Sequence, residues 1–252
     1  TSSGAGNIVL SASRTVTVNN STSVVATDNE LVIAAPISGA AFGLTKAGAG
    51  NLLLSGNLSY TGATTIGSFG TTTFSGNNTG MSGAMTINSG TNVFDFTTNN
   101  TNKMGTGALS LLGGTNTFTG NAGANSSQTV ASTTFAAGGQ AVVTLNAGAG
   151  QGLVLNLGAL TRAASGGTVR FTLPTGTQSA TNGVTTTTAN DATTGLVGTG
   201  GAWLTVTSGS DTNFATVSSG NIVPVTPTTQ DALGNWAFGQ NVTDSTGYTG
   251  TL

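Results

Sequence analysis

Apolar residues alternate with Thr, Ser and Asn along much of the chain, as in Val16-Thr17-Val18 and Leu204-Thr205-Val206. Short apolar runs such as Leu52-Leu53-Leu54 and Leu153-Val154-Leu155 sit between Gly-rich stretches, and strong helix formers are scarce. Period two, β-branched residues and closely spaced Gly and Asn are signals of strands and turns. The pattern predicts an all-β chain.

It also repeats. GAMTINSGTNVF, from Gly83 to Phe94, recurs as GALSLLGGTNTF from Gly107 to Phe118, and GATTIGSFGTTTF from Gly62 to Phe74 fits the same frame with one inserted residue. The shared signature is Gly-Thr-x-x-Phe, starting at Gly70, Gly90, Gly114 and again at Gly167. A longer echo links GAGNIVLS at Gly4 to GAGNLLLSG at Gly48, read as two units of about 22 residues that begin with a coil edge and its first core strand. A unit of that size cannot bury its own apolar face, but stacking each coil on the previous one solves this. Strands would then lie in register about 4.8 Å apart. The expected fold is a right-handed parallel β-helix, or β-solenoid, with Phe74, Phe94, Phe118 and Phe171 as rungs of one core ladder and a rod roughly 50 Å long. The alternative is an antiparallel β-sandwich with coincidental repetition.

The pattern divides the chain into solenoid repeats over 1–174, a polar Gly/Thr-rich loop or excursion over 175–199, and an aromatic-richer β region over 200–252. That last part holds Trp203 and Trp236 with Phe214, Phe238 and Tyr248, while Pro224 and Pro227 assign it strand ends or edges. It reads as a cap or junction. The competing role for Trp203 and Trp236 is contact with a glycan.

Composition narrows the chemistry. Five Lys and Arg, seven Asp and Glu and no His leave 5% charged residues and a net charge of −2, against about 25% charged in ordinary soluble proteins. This gives no electrostatic basis for binding nucleic acid. No apolar run is long enough for a transmembrane helix, and no signal peptide opens the sequence. The chain therefore reads as a mature product or an internal piece of something longer. With neither His nor Cys, Ser-His-Asp, Cys-His and His-based metal sites are excluded, as is disulfide stapling. The acids Asp28, Glu30, Asp95, Asp191, Asp211, Asp231 and Asp244 are too dispersed for a carboxylate pair. Asp28 and Glu30 read as a polar turn. Lys46, Lys103, Arg162 and Arg170 are too sparse for a lyase face; Arg162 and Arg170 are read as solvated or paired with backbone carbonyls, with a carboxylated sugar as the alternative. No cofactor, metal site or enzymatic activity is expected. Thr-x-Thr pairs such as Thr71/Thr73 and Thr115/Thr117 fit an outward solenoid face and are too irregular for an ice-binding array.

GLTKAGAGNLLLSGNLSYTGATTI, from Gly43 to Ile66, resembles the autotransporter-associated β-strand repeat: a Gly-x-Gly turn, an apolar run, Ser-Gly-Asn, an aromatic, Thr-Gly and Thr-Ile. The resemblance extends over most of the chain and fixes no catalytic residue. It implies a passenger-type β-helix, extracellular or on the surface of a Gram-negative bacterium. No outer-membrane β-barrel translocator is visible in these 252 residues.

These readings converge on a non-enzymatic extracellular structural protein, a module or subunit of a surface fibre or matrix. A carbohydrate-binding adhesin passenger is the alternative. The first residues TSSGAGN and the last residues GYTGTL join as GTLTSSGAGNIVL without a break in pattern, which predicts head-to-tail stacking of copies or tandem modules. Sequons at Asn20, Asn57 and Asn241, with many exposed Ser and Thr, make surface glycans an expectation too.

Overall fold

The computed structural model describes residues 6–21, 28–67, 69–100, 102–164, 166–199 and 202–225. Among them there are strands and turns and no α-helix. The strands stack in parallel as a β-solenoid, with a less regular C-terminal part.

Three faces run along the stack. On the first, eight parallel strands follow one another: Leu31–Ile33, Leu52–Leu54, Thr71–Phe74, Thr91–Asp95, Gly114–Thr119, Gln140–Asn146, Thr168–Thr172 and Leu204–Ser208. The second is a 7-stranded sheet running from Arg14–Thr17 to Ala159–Arg162 through Leu44–Ala47, Thr64–Ile66, Met85–Ile87, Leu109–Leu111 and Ser132–Phe135. The third begins with Ile8–Val9 on Ile37–Ser38 and a bridge from Ile37 to Leu58. It resumes as Ser126–Thr129, Leu153–Asn156 and Gly183–Thr185.

Alternation explains why each strand sits where it does. Leu52–Leu54, Met85–Ile87 and Leu109–Leu111 each bury their first and third residues and leave the middle one half-exposed. One inward row on the first face is Ile33, Leu54, Phe74, Phe94, Phe118 and Leu145. The three Phe rings in it stack, with centroids 5.4 Å and 4.7 Å apart and ring planes within 12° and 24°. The neighbouring inward row is Leu31, Leu52, Thr72, Asn92, Asn116, Val143, Phe171 and Val206. Its successive members lie 21, 20, 20, 24, 27, 28 and 35 residues apart, so the coil lengthens along the rod. Eight stacked strands at about 4.8 Å make this face about 34 Å tall.

Four expectations are corrected. Phe171 is fully buried, but it stands in the row of Asn116 and Val143 rather than in the ring ladder. Gly114 pairs with Ala141 and Ala141 with Val169, while Gln140 pairs with Thr168, so Gly167 lies against Gly139, two positions before the column of Gly114. The opening echo does not share a face with its copy: Ile8–Val9 belongs to the third face and Leu52–Leu54 to the first. Nor is 175–199 only an excursion, because Gly183–Thr185 continues the third face with Val184 fully buried. The regular stack accordingly runs past residue 174, to Leu204–Ser208.

Glycine columns hold the corners. Gly83 packs so closely on the preceding coil that a Cβ there would lie 2.0 Å from the Gly62 carbonyl oxygen. Gly70, Gly90 and Gly114 open the strands of the ring ladder at φ of 84°, 83° and 80°, a left-handed conformation that glycine adopts without steric cost.

Where the third face lacks regular strands, buried side-chain amides replace its ladder. Asn78 accepts from Leu58 N at 3.0 Å and donates to Lys103 O at 2.9 Å. Gln128 accepts from Lys103 N at 2.8 Å and Met104 N at 3.1 Å, and donates to Gly105 O at 2.9 Å. Both side chains are fully buried. Gln128→Ala would remove the partner of two backbone donors and of two carbonyls, Gly105 O and Thr129 O, each buried group left unpaired costing about 1–3 kcal/mol. Urea titration should show a loss of at least that size; an unchanged midpoint would mean that water enters freely there.

The two ends differ. The strand Asp211–Ser218 runs antiparallel to Leu204–Ser208 through its first half and to Asn221–Pro224 through its second half. Asn221 in turn meets Thr185 on the third face. These strands carry the first face over to the third and close that end of the stack. At the opposite end, Ile8–Val9, Arg14–Thr17 and Leu31–Ile33 each pair with the following coil and with no other described strand. Val9 is 68% exposed there.

Candidate functional site

Trp203, for which glycan contact is the competing role beside a cap or junction, does not stand on a surface platform. Trp203 is only 3% exposed; its ring lies 5.2 Å from that of Phe135 and beneath the Arg162 guanidinium, 5.9 Å away. It enters the strand Leu204–Ser208 from the interior and supports the closing end of the stack. Trp236 lies outside the described residues, as do Phe238, Tyr248, Asp231, Asp244 and the sequon at Asn241.

Arg162 donates from Nε to Gly167 O at 3.2 Å and from Nη2 to Gly166 O at 2.9 Å. It therefore holds the turn that follows its own strand, the carbonyl-pairing role expected of it. Arg170 is exposed on the outer side of Thr168–Thr172.

The carboxylates serve turns. Glu30 accepts from Asn51 N at 2.6 Å and Ser21 N at 3.3 Å. The Asn51 amide foremost holds its carboxyl below the usual range, against opposing desolvation. Asp191 accepts from Thr193 N and Thr194 N, both at 2.9 Å, and is lowered mainly by the Thr194 amide and then by Thr193. Asp95 accepts from Thr97 N at 2.9 Å. Among the described residues, no three His, Cys, Asp or Glu side chains converge as they would on a metal ion.

Two lysines are buried, a feature the sequence reading missed. Lys46 Nζ donates to Gly48 O at 2.5 Å and Phe69 O at 2.6 Å, tying two successive corners together. Lys103 Nζ donates to Gly76 O at 2.9 Å and Ser75 O at 3.3 Å, contacts Asn99 Oδ1, and lies 5.3 Å from the centre of the Phe96 ring. Sequence offers one signal for such sites: a lone Lys at a position that alternation points inward, as in Leu44-Thr45-Lys46.

Burial lowers the ammonium pKa of Lys46, with Glu30 opposing. Tyr60, also fully buried and hydrogen-bonded to Thr64 Oγ1 at 2.7 Å, is pushed up to about 12, chiefly by burial. As pH rises toward the ordinary Lys value of about 10.4, an unfolded Lys46 holds its proton longer than the folded one, so stability climbs. Above about 10 an unfolded Tyr60 ionises first and stability falls. Urea midpoints should therefore peak near pH 10, whereas a steady fall from pH 8 would contradict this placement of the two side chains.

One groove of about 400 Å³ lies beside the closing strands, lined by Thr129, Asn156, Thr185, Thr186, Ser219 and Asn221 among others. Its polar side chains are hydroxyls and amides, and Thr129, Asn156 and Thr185 are hydrogen-bonded into a ladder. No lining residue is charged, so the groove offers hydrogen bonds from neutral groups.

No family model, curated protein or solved structure matches this chain.

Proposed function

We propose that this chain is a non-enzymatic structural protein, a β-solenoid module or subunit of an extracellular bacterial fibre or matrix that joins copies along the solenoid axis. The observation that carries this reading is the parallel ladder, which runs unbroken along the first and second faces. Each coil donates and accepts backbone hydrogen bonds along the rod, and among the described residues no three His, Cys, Asp or Glu side chains converge. The resemblance to the autotransporter-associated β-strand repeat supports placement on a Gram-negative surface.

The ends suit assembly. Natural sheets blunt their edges with charges, prolines or bulges; the first coil carries Arg14 as the one charge within its three strands and exposes Ile8 and Val9. A further strand, from a second copy or a tandem module, would fit such an edge. The closing strands make the joint asymmetric, so a neighbour would meet the open coil with a different surface, a heterologous contact that propagates. Negative-stain microscopy over increasing concentration tests this. Growth of filaments that stops on Val9→Lys supports the joint, and monomers at every concentration would overturn it.

The uncharged groove beside the closing strands favours a second reading, an adhesin that binds a neutral glycan. A glycan array gives the readout: binding lost on Asn156→Ala with folding intact supports it, and no binding at all counts against it.

A further inference from the structure

We propose that Lys103 and Asn99 are the partners of an intramolecular amide cross-link. The structure presses a buried amine against a half-buried carboxamide. Lys103 is fully buried, its Nζ contacts Asn99 Oδ1, and the Phe96 ring covers it at 5.3 Å. Asn99 is itself anchored, donating from Nδ2 to Ser75 O at 2.9 Å, the carbonyl that Lys103 Nζ also reaches at 3.3 Å. Amide and amine are thus held on one backbone group of the preceding coil, an arrangement that converts a bimolecular encounter into an intramolecular one.

The step balances without oxidant or reductant. The neutral Lys103 Nζ attacks Asn99 Cγ, a Cγ–Nζ bond forms, and the Cγ–Nδ2 bond breaks. One proton passes from Nζ to the departing Nδ2, which leaves as ammonia; the product is a secondary amide. The relay of that proton is assigned to Asp95, whose negative charge acts on Lys103. Burial lowers the Lys103 pKa to about 8, with Asp95 opposing, so a useful fraction of the amine is unprotonated near neutrality.

The position has a structural logic. The link would close the turn between Asp95 and Lys103 on the stretch of the third face that lacks regular strands and relies on Asn78 and Gln128 for its hydrogen bonds. Without Cys, this chain has no disulfide with which to staple the weak stretch.

Mass spectrometry of the folded wild-type chain decides the question, with no variant required. The expected result is an intact mass lower by one ammonia, about 17 Da, with a proteolytic peptide spanning Asn99 to Lys103 in which Lys103 resists both trypsin and reductive methylation. Asn99→Ala and Lys103→Arg should each restore the full mass, and Asp95→Ala should slow the loss. A full intact mass overturns the proposal, leaving Lys103 as a buried ammonium in a cage of carbonyls. So does an ammonia loss with Lys103 still open to labelling, which would mark a succinimide at an Asn instead.

Discussion

Replacing Phe94 with Ala is expected to cost about 3–5 kcal/mol, the range for removing a fully buried aromatic ring. Phe94 is the middle ring of three, fully buried and stacked on Phe74 below and Phe118 above. Its removal leaves a ring-sized void between two partners that are fixed by their own backbone ladders and cannot collapse inward. Stacked pairs contribute about 0.5–1.5 kcal/mol beyond area burial, so Phe74→Ala and Phe94→Ala together should cost less than the sum of the two alone. Phe69→Ala supplies the control: its ring is 73% exposed, and such surface changes stay within about 0.5 kcal/mol. Urea unfolding of the two single Phe variants, their double and the Phe69→Ala control is the measurement. A Phe94→Ala cost as small as that of Phe69→Ala would move Phe94 out of the core and break the register of the first face.

The second large effect comes from a single methyl group. Gly83→Ala puts a Cβ 2.0 Å from Gly62 O and 2.4 Å from Gly62 C, and neither atom can retreat without pulling a whole corner off the coil beneath. The expected cost is at or above the upper end of the 1–3 kcal/mol typical of overpacking. Gly67 makes the informative comparison, because the nearest atom to a Cβ there is Lys46 O at 3.4 Å, an ordinary contact. Alanine at such a permissive site restricts the unfolded chain and stabilises by about 0.4–1 kcal/mol. The two Gly→Ala substitutions should therefore shift the melting temperature in opposite directions. Equal shifts would mean that the corners are not stacked as described.

What the sequence disclosed follows from how local each signal is. Gly90-Thr91-x-x-Phe94 and Gly114-Thr115-x-x-Phe118 carry corner, strand and rung in five residues, and they pair in the structure as the repeat implies. The same five-residue pattern misled at Gly167, because register is set by the partner strand: Gly114 stands opposite Ala141 and Ala141 opposite Val169, two residues past Gly167. The echo between Gly4 and Gly48 failed for a related reason: a Gly-rich turn followed by an apolar run can serve any corner of a three-faced coil. Trp203 looked available because aromatic clusters near a change of pattern suit caps and sugar platforms alike; only the long-range contact with Phe135 separates the two. Alternation points Lys46 inward, but what the buried lysines bind was illegible for the same physical reason. Their acceptors are backbone carbonyls such as Gly76 O for Lys103 and Phe69 O for Lys46, and carbonyls leave no trace in a sequence.

The central claim is that stacked coils continue from one copy to the next as a load-bearing fibre. Electron microscopy of the protein purified from its native source without denaturation, joined to diffraction from the aligned material, tests it most directly. The account predicts long fibres with a meridional reflection at about 4.8 Å, because the strand stacking direction and the fibre axis coincide. Discrete short rods, about one stack in length, would contradict it.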